Sequence, residues 1–330
     1  MRRRLPTALI LLVTGLAALP ALAAPVATAS PLPAAADPAV AGQVIAVRGA
    51  DGALWVASAE STTGRWTSLG GALVSVPAVA RGTFGVVYVG IGTDGAVYAR
   101  TWTTGWREIS PPGSRCLQVS AAPRPALQNE LYLSCLAPND RIYIGHAPPG
   151  SLVVPRWVSS SAPPGLVRAG ITMEGNSVLA IGARVPVWSD RGEGTGPGTT
   201  TVYRGSPNNP GWSTVGYSPS GRTSLDCATA PAVAGPYLTL CRRSDDSLYW
   251  TYAVHVGGTL TDLVPGVAPG RVIGKVGITG TRPDNTRGVF ALGTNGELYR
   301  WTVTYSATER PVWTQPSRFG GRALGGADVG

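Results

Sequence analysis

Asp51-Gly52-Ala53-Leu54-Trp55 and Asp94-Gly95-Ala96-Val97-Tyr98 are two copies of one pattern: a turn dipeptide, a small residue, a branched apolar residue and an aromatic. Weaker copies follow at Asp140-Arg141-Ile142-Tyr143, Asp246-Ser247-Leu248-Tyr249 and Asn295-Gly296-Glu297-Leu298-Tyr299, with a degenerate one ending in Thr201-Val202-Tyr203. The closing aromatics fall at 55, 98, 143, 203, 249 and 299, spacings of 43, 45, 60, 46 and 50 residues. Self-similarity at such a period marks a repeat architecture. Each turn lies between two β-rich runs, and Asp-Gly or Asn-Gly in that place predicts a hairpin closed by a type I′ turn. The repeated acids are therefore turn chemistry rather than calcium ligands or catalytic acids.

Beyond each hairpin most copies carry a further Trp, at Trp66, Trp106, Trp157, Trp212 and Trp313; the fifth copy has none. A short run of small residues follows, such as Pro77-Ala78-Val79-Ala80, Val119-Ser120-Ala121-Ala122 and Arg168-Ala169-Gly170-Ile171. Four strands per unit is the arithmetic of a propeller blade, with small side chains on the crowded strand nearest the axis. The first copy lacks a preceding small-residue strand, whereas the chain ends on Arg322-Ala323-Leu324-Gly325-Gly326-Ala327-Asp328-Val329, which resembles it. The expectation is an all-β, six-bladed β-propeller of four-stranded blades, closed by the C-terminal strand completing the first blade. Seven blades is the alternative, because the long fourth unit has room for a degenerate one.

The four cysteines fit this layout. Cys135 and Cys241 each lie eight residues before a closing tyrosine, and Cys116 and Cys227 precede them by 19 and 14 residues. Pairing 116 with 135 and 227 with 241 staples neighbouring strands, each bridge contributing roughly 3 kcal/mol.

Asp51-Gly52-Ala53-Leu54-Trp55 leading to Gly64-Arg65-Trp66-Thr67-Ser68-Leu69-Gly70-Gly71 and Pro77-Ala78-Val79-Ala80 resembles a blade of the tectonin-type and related bacterial propeller lectins. The second copy, through Trp106-Arg107-Glu108-Ile109, resembles it nearly as well, and the later copies share only its rhythm. The resemblance implies sugar binding, often of fucose or methylated saccharides, in shallow sites between adjacent blades.

Composition bounds the setting. Met1-Arg2-Arg3-Arg4, the apolar run to Leu22 and the small-residue site Ala21-Leu22-Ala23 predict a signal peptide and cleavage region over residues 1–29. An Ala/Pro-rich leader over 30–41 follows, then the propeller over 42–330. Export to the extracellular space, with no membrane span after cleavage, is the resulting expectation, and four cysteines suit it. Loss of the three arginines at 2–4 lowers the net charge from +9 to about +6, and a single lysine, Lys275, accompanies the remaining arginines. Such a surface suits anionic partners. Without Lys/Arg runs or a reading helix, acidic cell-wall polymers and other glycans are expected rather than nucleic acid, with other secreted proteins as further partners.

Sugar recognition needs an aromatic plate for the ring and hydrogen-bonding side chains for its hydroxyls. The once-per-blade tryptophans at 66, 106, 157, 212 and 313 read as packing between blades. The candidate ligand-binding residues are those outside that register: Trp102 with Arg100, Trp301 with Arg300, Trp250 and Trp188. Catalysis has little to draw on. His146 and His255 are far apart and lack metal-spaced partners, no hydrolase motif is present, and the acids outside the turns are Glu108, Glu174, Asp190, Glu193, Asp226 and Asp262. No catalytic residue, metal or cofactor is expected. The functional expectation is a secreted, lectin-like protein recognising cell-surface or cell-wall glycans. A protein-interaction module or cell-recognition subunit of a larger complex, with a contact loop at Arg184 to Thr201, is the alternative, ahead of a glycoside hydrolase.

Overall fold

The structure is a computed structural model that describes residues 42–123, 129–138, 141–161, 169–174, 177–183, 200–206, 209–218, 224–232, 235–243, 245–256, 259–279, 284, 286–304 and 311–329. For 160–161, 169–239, 241 and 251–265 the backbone alone is described. All fall in the unit Ala36–Gly330, and the expected signal peptide and leader lie outside the described residues.

Every regular element among the described residues is a strand. β1 (Val44–Arg48), β2 (Leu54–Ser58) and β3 (Thr67–Gly70) form one antiparallel meander, and β4 (Ala78–Gly82), β5 (Gly85–Ile91), β6 (Val97–Thr101) and β7 (Arg107–Glu108) the next. A third comprises β8 (Gln118–Pro123), β9 (Leu131–Leu136), β10 (Arg141–Ala147) and β11 (Arg156–Ser161). A fourth comprises β12 (Ala169–Glu174), β13 (Ser177–Ala183), β14 (Thr200–Ser206) and β15 (Asn209–Ser218). β16 (Ser224–Ala232), β17 (Gly235–Arg243) and β18 (Ser247–Val256) continue into the first part of the long β19 (Thr259–Ile278), whose last residues pair instead with β20 (Thr286–Gly293). β21 (Glu297–Thr304), β22 (Val312–Trp313) and β23 (Ser317–Arg322) complete that last meander. β24 (Leu324–Val329) pairs antiparallel with β1, Ile45 opposite Val329 and Val47 opposite Ala327.

The core lies between consecutive sheets rather than within one. One layer joins Val44, Leu54 and Val56 to Val79 and Tyr88; another joins Val87, Val89 and Ile91 to Val119, Leu131 and Leu133. Ile45, Val47 and Ala57 meet Phe290, Leu298 and Phe319 in the layer between the first and last meanders. A sheet covered on both faces needs strands that are apolar throughout, and β5, β9 and β20 are buried along almost their whole length.

The turns differ from the expected type. Among the described residues the only non-glycine with positive φ is Asp246, so Asp51 and Asp94 do not sit in a type I′ turn. Gly52 N–H donates to Gly49 O at 3.0 Å and Gly49 N–H to Ala53 O at 2.9 Å; Gly92, Gly95 and Ala96 repeat this at 2.9 Å each. This is a three-residue loop with a left-handed glycine, φ +78° at Gly52 and +80° at Gly95. The cause is the aspartate, which accepts the N–H two residues on, Ala53 for Asp51 and Ala96 for Asp94, both at 3.0 Å.

Cys116 and Cys135 are disulfide-bonded with Cα atoms 5.6 Å apart, Cys116 standing two residues ahead of β8 rather than within it. Cys227 and Cys241 face each other across the β16/β17 ladder, and their side chains lie outside the described residues.

Candidate functional site

The repeated turn builds more than a hairpin. In three copies a glycine stands two residues before the Asp or Asn, and the closing aromatic folds back over it. A Cβ on Gly49 would lie 2.5 Å from Trp55 Nε1, one on Gly92 2.8 Å from the Tyr98 ring, and one on Gly293 2.7 Å from the Tyr299 ring. The folded-back aromatic then donates to the turn acid or meets the turn amide. Trp55 Nε1–H reaches Asp51 Oδ1 at 3.1 Å, Tyr98 Oη–H reaches Asp94 Oδ2 at 2.7 Å, and Asn295 Nδ2–H donates to Tyr299 Oη at 3.1 Å. The Ala53 N–H first, then the Trp55 indole, hold the Asp51 carboxyl below the usual carboxylate range; at Asp94 the Tyr98 hydroxyl leads. Both acids are thus charged and committed to their own turns.

The first copy differs in closing on Trp rather than Tyr, and there a second indole comes alongside. Trp66, just ahead of β3, crosses to the last meander, where its Nε1–H donates to Gly320 O at 3.1 Å and its ring meets Phe319 edge-on at 5.9 Å. Gly321 must be glycine: its φ is +89°, and a Cβ would lie 2.5 Å from Trp66 Nε1. Between Asp51, Trp55 and Trp66 on one side and Leu298, Arg322 and Ala323 on the other lies a cavity of about 370 Å³. That volume is at the lower end of small-molecule sites, about 300–1,000 Å³. Val47, Leu298 and Ala323 are buried and make an apolar floor, whereas Trp55 and Trp66 are half-buried and Asp51 and Arg322 exposed. Among the described copies Ala323 is the smallest residue at its position, which Leu73, Cys116 and Val272 occupy elsewhere.

Arg322 stands opposite Glu297 in the β21/β23 ladder, yet Glu297 is engaged by Arg318 Nη2 at 2.5 Å and by Asn295 Nδ2 at 2.9 Å. Among the described residues the Arg322 side chain has no hydrogen bond or ion pair. The site therefore offers two aromatic plates, a spent carboxylate and a guanidinium with no partner among the described residues.

The described residues among those expected from sequence lie outside this cavity. Arg100 donates to Leu69 O and lies 5.6 Å from the Trp106 ring centre; burial lowers its pKa from the ordinary arginine value. Trp102 is half-buried against the layer between the first two meanders. Arg300 donates to Ser61 O at 3.0 Å. Trp301 is 1% exposed with its Nε1–H on Pro269 O at 2.8 Å, and Trp250 is 6% exposed beside Trp313. Both are core residues in one layer, which leaves neither ring face for a ligand. Trp188 lies outside the described residues. Of the tryptophans read as packing, Trp106, Trp157 and Trp313 are half-buried against the layers, whereas Trp66 both packs and lines the cavity. The side chain of Trp212 is outside the described residues.

Trp55 and Arg322, which line the cavity, are not among the residues expected from sequence. The signal available was Trp55 itself, the one tryptophan among six closing aromatics. Of the acids weighed for catalysis, Glu108 is exposed on β7, and the side chains of Glu174, Asp190, Glu193, Asp226 and Asp262 lie outside the described residues. His146 is exposed beside Tyr132, and no group of three metal-ligating side chains occurs among the described residues.

No protein-family model and no curated protein matches the chain. Solved structures do. The fucose-specific lectin from Aleuria aurantia superposes with a TM-score of 0.55 at 10% identity, over 86% of this chain and 93% of that one. The BP39L lectin from Burkholderia pseudomallei gives 0.52 at 15% identity, over 86% and 82%. A second structure of the Aleuria lectin, described as a six-bladed β-propeller, gives 0.51 at 10% identity over 84% and 92%. At these identities the likeness is one of architecture: the chain has the β-propeller fold that these lectins share.

Proposed function

We propose that this protein is a carbohydrate-binding, lectin-like propeller of six blades, its ring closed where β24 completes the first blade, and that it binds a saccharide in the cavity between Trp66 and Arg322. The observation that carries the reading is the pair of half-buried indoles, Trp55 and Trp66, around about 370 Å³ of space, with the guanidinium of Arg322, unpartnered among the described residues, at its edge. Aromatic faces stack on the apolar face of a sugar ring, and guanidinium groups hydrogen-bond its oxygens. The similar folds named as lectins support the same reading. The amino-terminal Arg2-Arg3-Arg4 and apolar run support export, so the ligands are cell-surface or cell-wall glycans.

A glycan array probed with the purified protein tests this. Binding that free sugar competes, and that Trp55→Ala or Arg322→Ala weakens at unchanged melting temperature, is the expected result; a blank array from folded protein removes the reading.

Attachment to another protein is a second reading, favoured by one observation. Val74, Leu117 and Leu324, each directly after the buried residue that follows the outer strand, are 49%, 58% and 42% exposed. Recurrent exposed aliphatic side chains at one register suit a protein contact.

A further inference from the structure

The position before Ala323 recurs. Cys116 N–H and Val272 N–H bond to the turn carbonyls of Gly95 and Asp246 at 3.0 and 2.8 Å, which puts Arg115 and Arg271 in the same place of their own copies. The ladders agree: Arg271 stands opposite Ser247 as Arg322 stands opposite Glu297, one residue past the turn. Among the described residues the remaining such place, ahead of Leu73, holds Ala72. All three arginines are exposed. Arg115 packs its stem over Gly95 and exerts a coulombic pull on Asp94, yet none of the three side chains forms an ion pair or hydrogen bond among the described residues.

The acids at this end do not neutralise them. Asp51 and Asp94 are taken by their own turns, Asp246 by Arg242 at 3.1 Å, and Glu297 by Arg318. Other arginines are spent within the protein: Arg48 on Val74 O at 2.7 Å, Arg100 on Leu69 O, Arg300 on Ser61 O. A planar guanidinium with no partner among the described residues fits a carboxylate better than a hydroxyl, because the fork presents paired donors to paired acceptors.

We infer that Arg115, Arg271 and Arg322 form a row of carboxylate-binding positions, and that the saccharide this protein takes is an acidic one, a uronic or nonulosonic acid, engaged at more than one place along a polymer. The inference rests on the saccharide-binding reading and adds the class of sugar. Repetition of one weak contact along a chain multiplies avidity without any new contact type.

The test titrates the full-length protein with paired methyl glycosides, the glucuronide against the glucoside, together with the methyl glycoside of N-acetylneuraminic acid. Polygalacturonate is run against its methyl ester, with double-stranded DNA as a non-saccharide polyanion. At least one acidic glycoside should bind about tenfold or more tighter than the glucoside. Arg322→Ala should abolish that preference, costing the acidic glycoside about tenfold more affinity than the neutral one. Polymer avidity should fall stepwise with Arg115→Ala and Arg271→Ala and stay unchanged in Arg156→Ala, an exposed arginine outside the row. Equal, Trp55-dependent binding of acidic and neutral glycosides overturns the acidic-sugar inference and leaves the saccharide reading standing. DNA binding as tight as polygalacturonate overturns it too, since the row is then a general cation patch. Failure of every saccharide overturns both.

Discussion

The indole N–H of Trp66 donates to the carbonyl of Gly320 at 3.1 Å across 254 residues of sequence. That one bond ties the first meander to the last and fixes the ring that walls the cavity. Gly320 and Gly321 both have left-handed φ, +93° and +89°, but only a Cβ on Gly321 would strike the indole. Gly320→Ala should therefore cost only backbone strain, about 1 kcal/mol, and Gly321→Ala distinctly more. Thermal unfolding of the two variants separates strain from lost packing, and equal losses would show that Trp66 is not held as described.

Asp51 supplies a pH prediction. Its folded-state pKa lies below the unfolded value, so the stability it contributes is present above about pH 4 and is lost as pH falls through the folded pKa. Asn295 performs the same turn role in the last copy by accepting the Glu297 N–H at 3.1 Å. Asp51→Asn should accordingly keep the turn and the Trp55 fluorescence but flatten this part of the acid limb below about pH 4. Asp51→Ala should release Trp55 at every pH and weaken ligand binding.

The disulfide between Cys116 and Cys135 closes a loop of 19 residues beside the layer shared by β4–β6 and β8–β9. Replacing both cysteines by serine should lower the unfolding free energy by roughly 3 kcal/mol in denaturant titration. The cavity between Trp66 and Arg322 lies in another layer, so sugar binding should persist below the new transition.

Asp328 on β24 reaches two other meanders, accepting the Val79 N–H at 2.9 Å and pairing with Lys275 Nζ at 3.1 Å. Both ion-pair partners are about one-fifth exposed, so the pair is better shielded than a surface one. Asp328→Ala should cost about 2 kcal/mol, since it also orphans an amide. Hydrogen exchange should show the loss first in β24 and β1; exchange that rises evenly across all strands would contradict a local latch.

Much of the fold was legible because its period is written in turn residues, and the strands follow the turns. The turn type was not, since it depends on where the Asp51 carboxylate points rather than on the Asp-Gly dipeptide. The site was less legible than the fold. Trp301 and Trp250 look exposed by register and are buried, because the sheets cover both faces of their strands. Trp66 looks like packing and is half that, because packing on Gly321 leaves part of its ring at the cavity. Arg322 stands in a stretch read as a closing strand, where nothing in sequence tells an engaged guanidinium from a free one.

The most direct measurement is a structure of the protein with its best array ligand bound. The account predicts a sugar ring against the indoles of Trp55 and Trp66, with oxygens within hydrogen-bond distance of Arg322. A ring seated elsewhere, with this cavity left empty at saturating ligand, would contradict it.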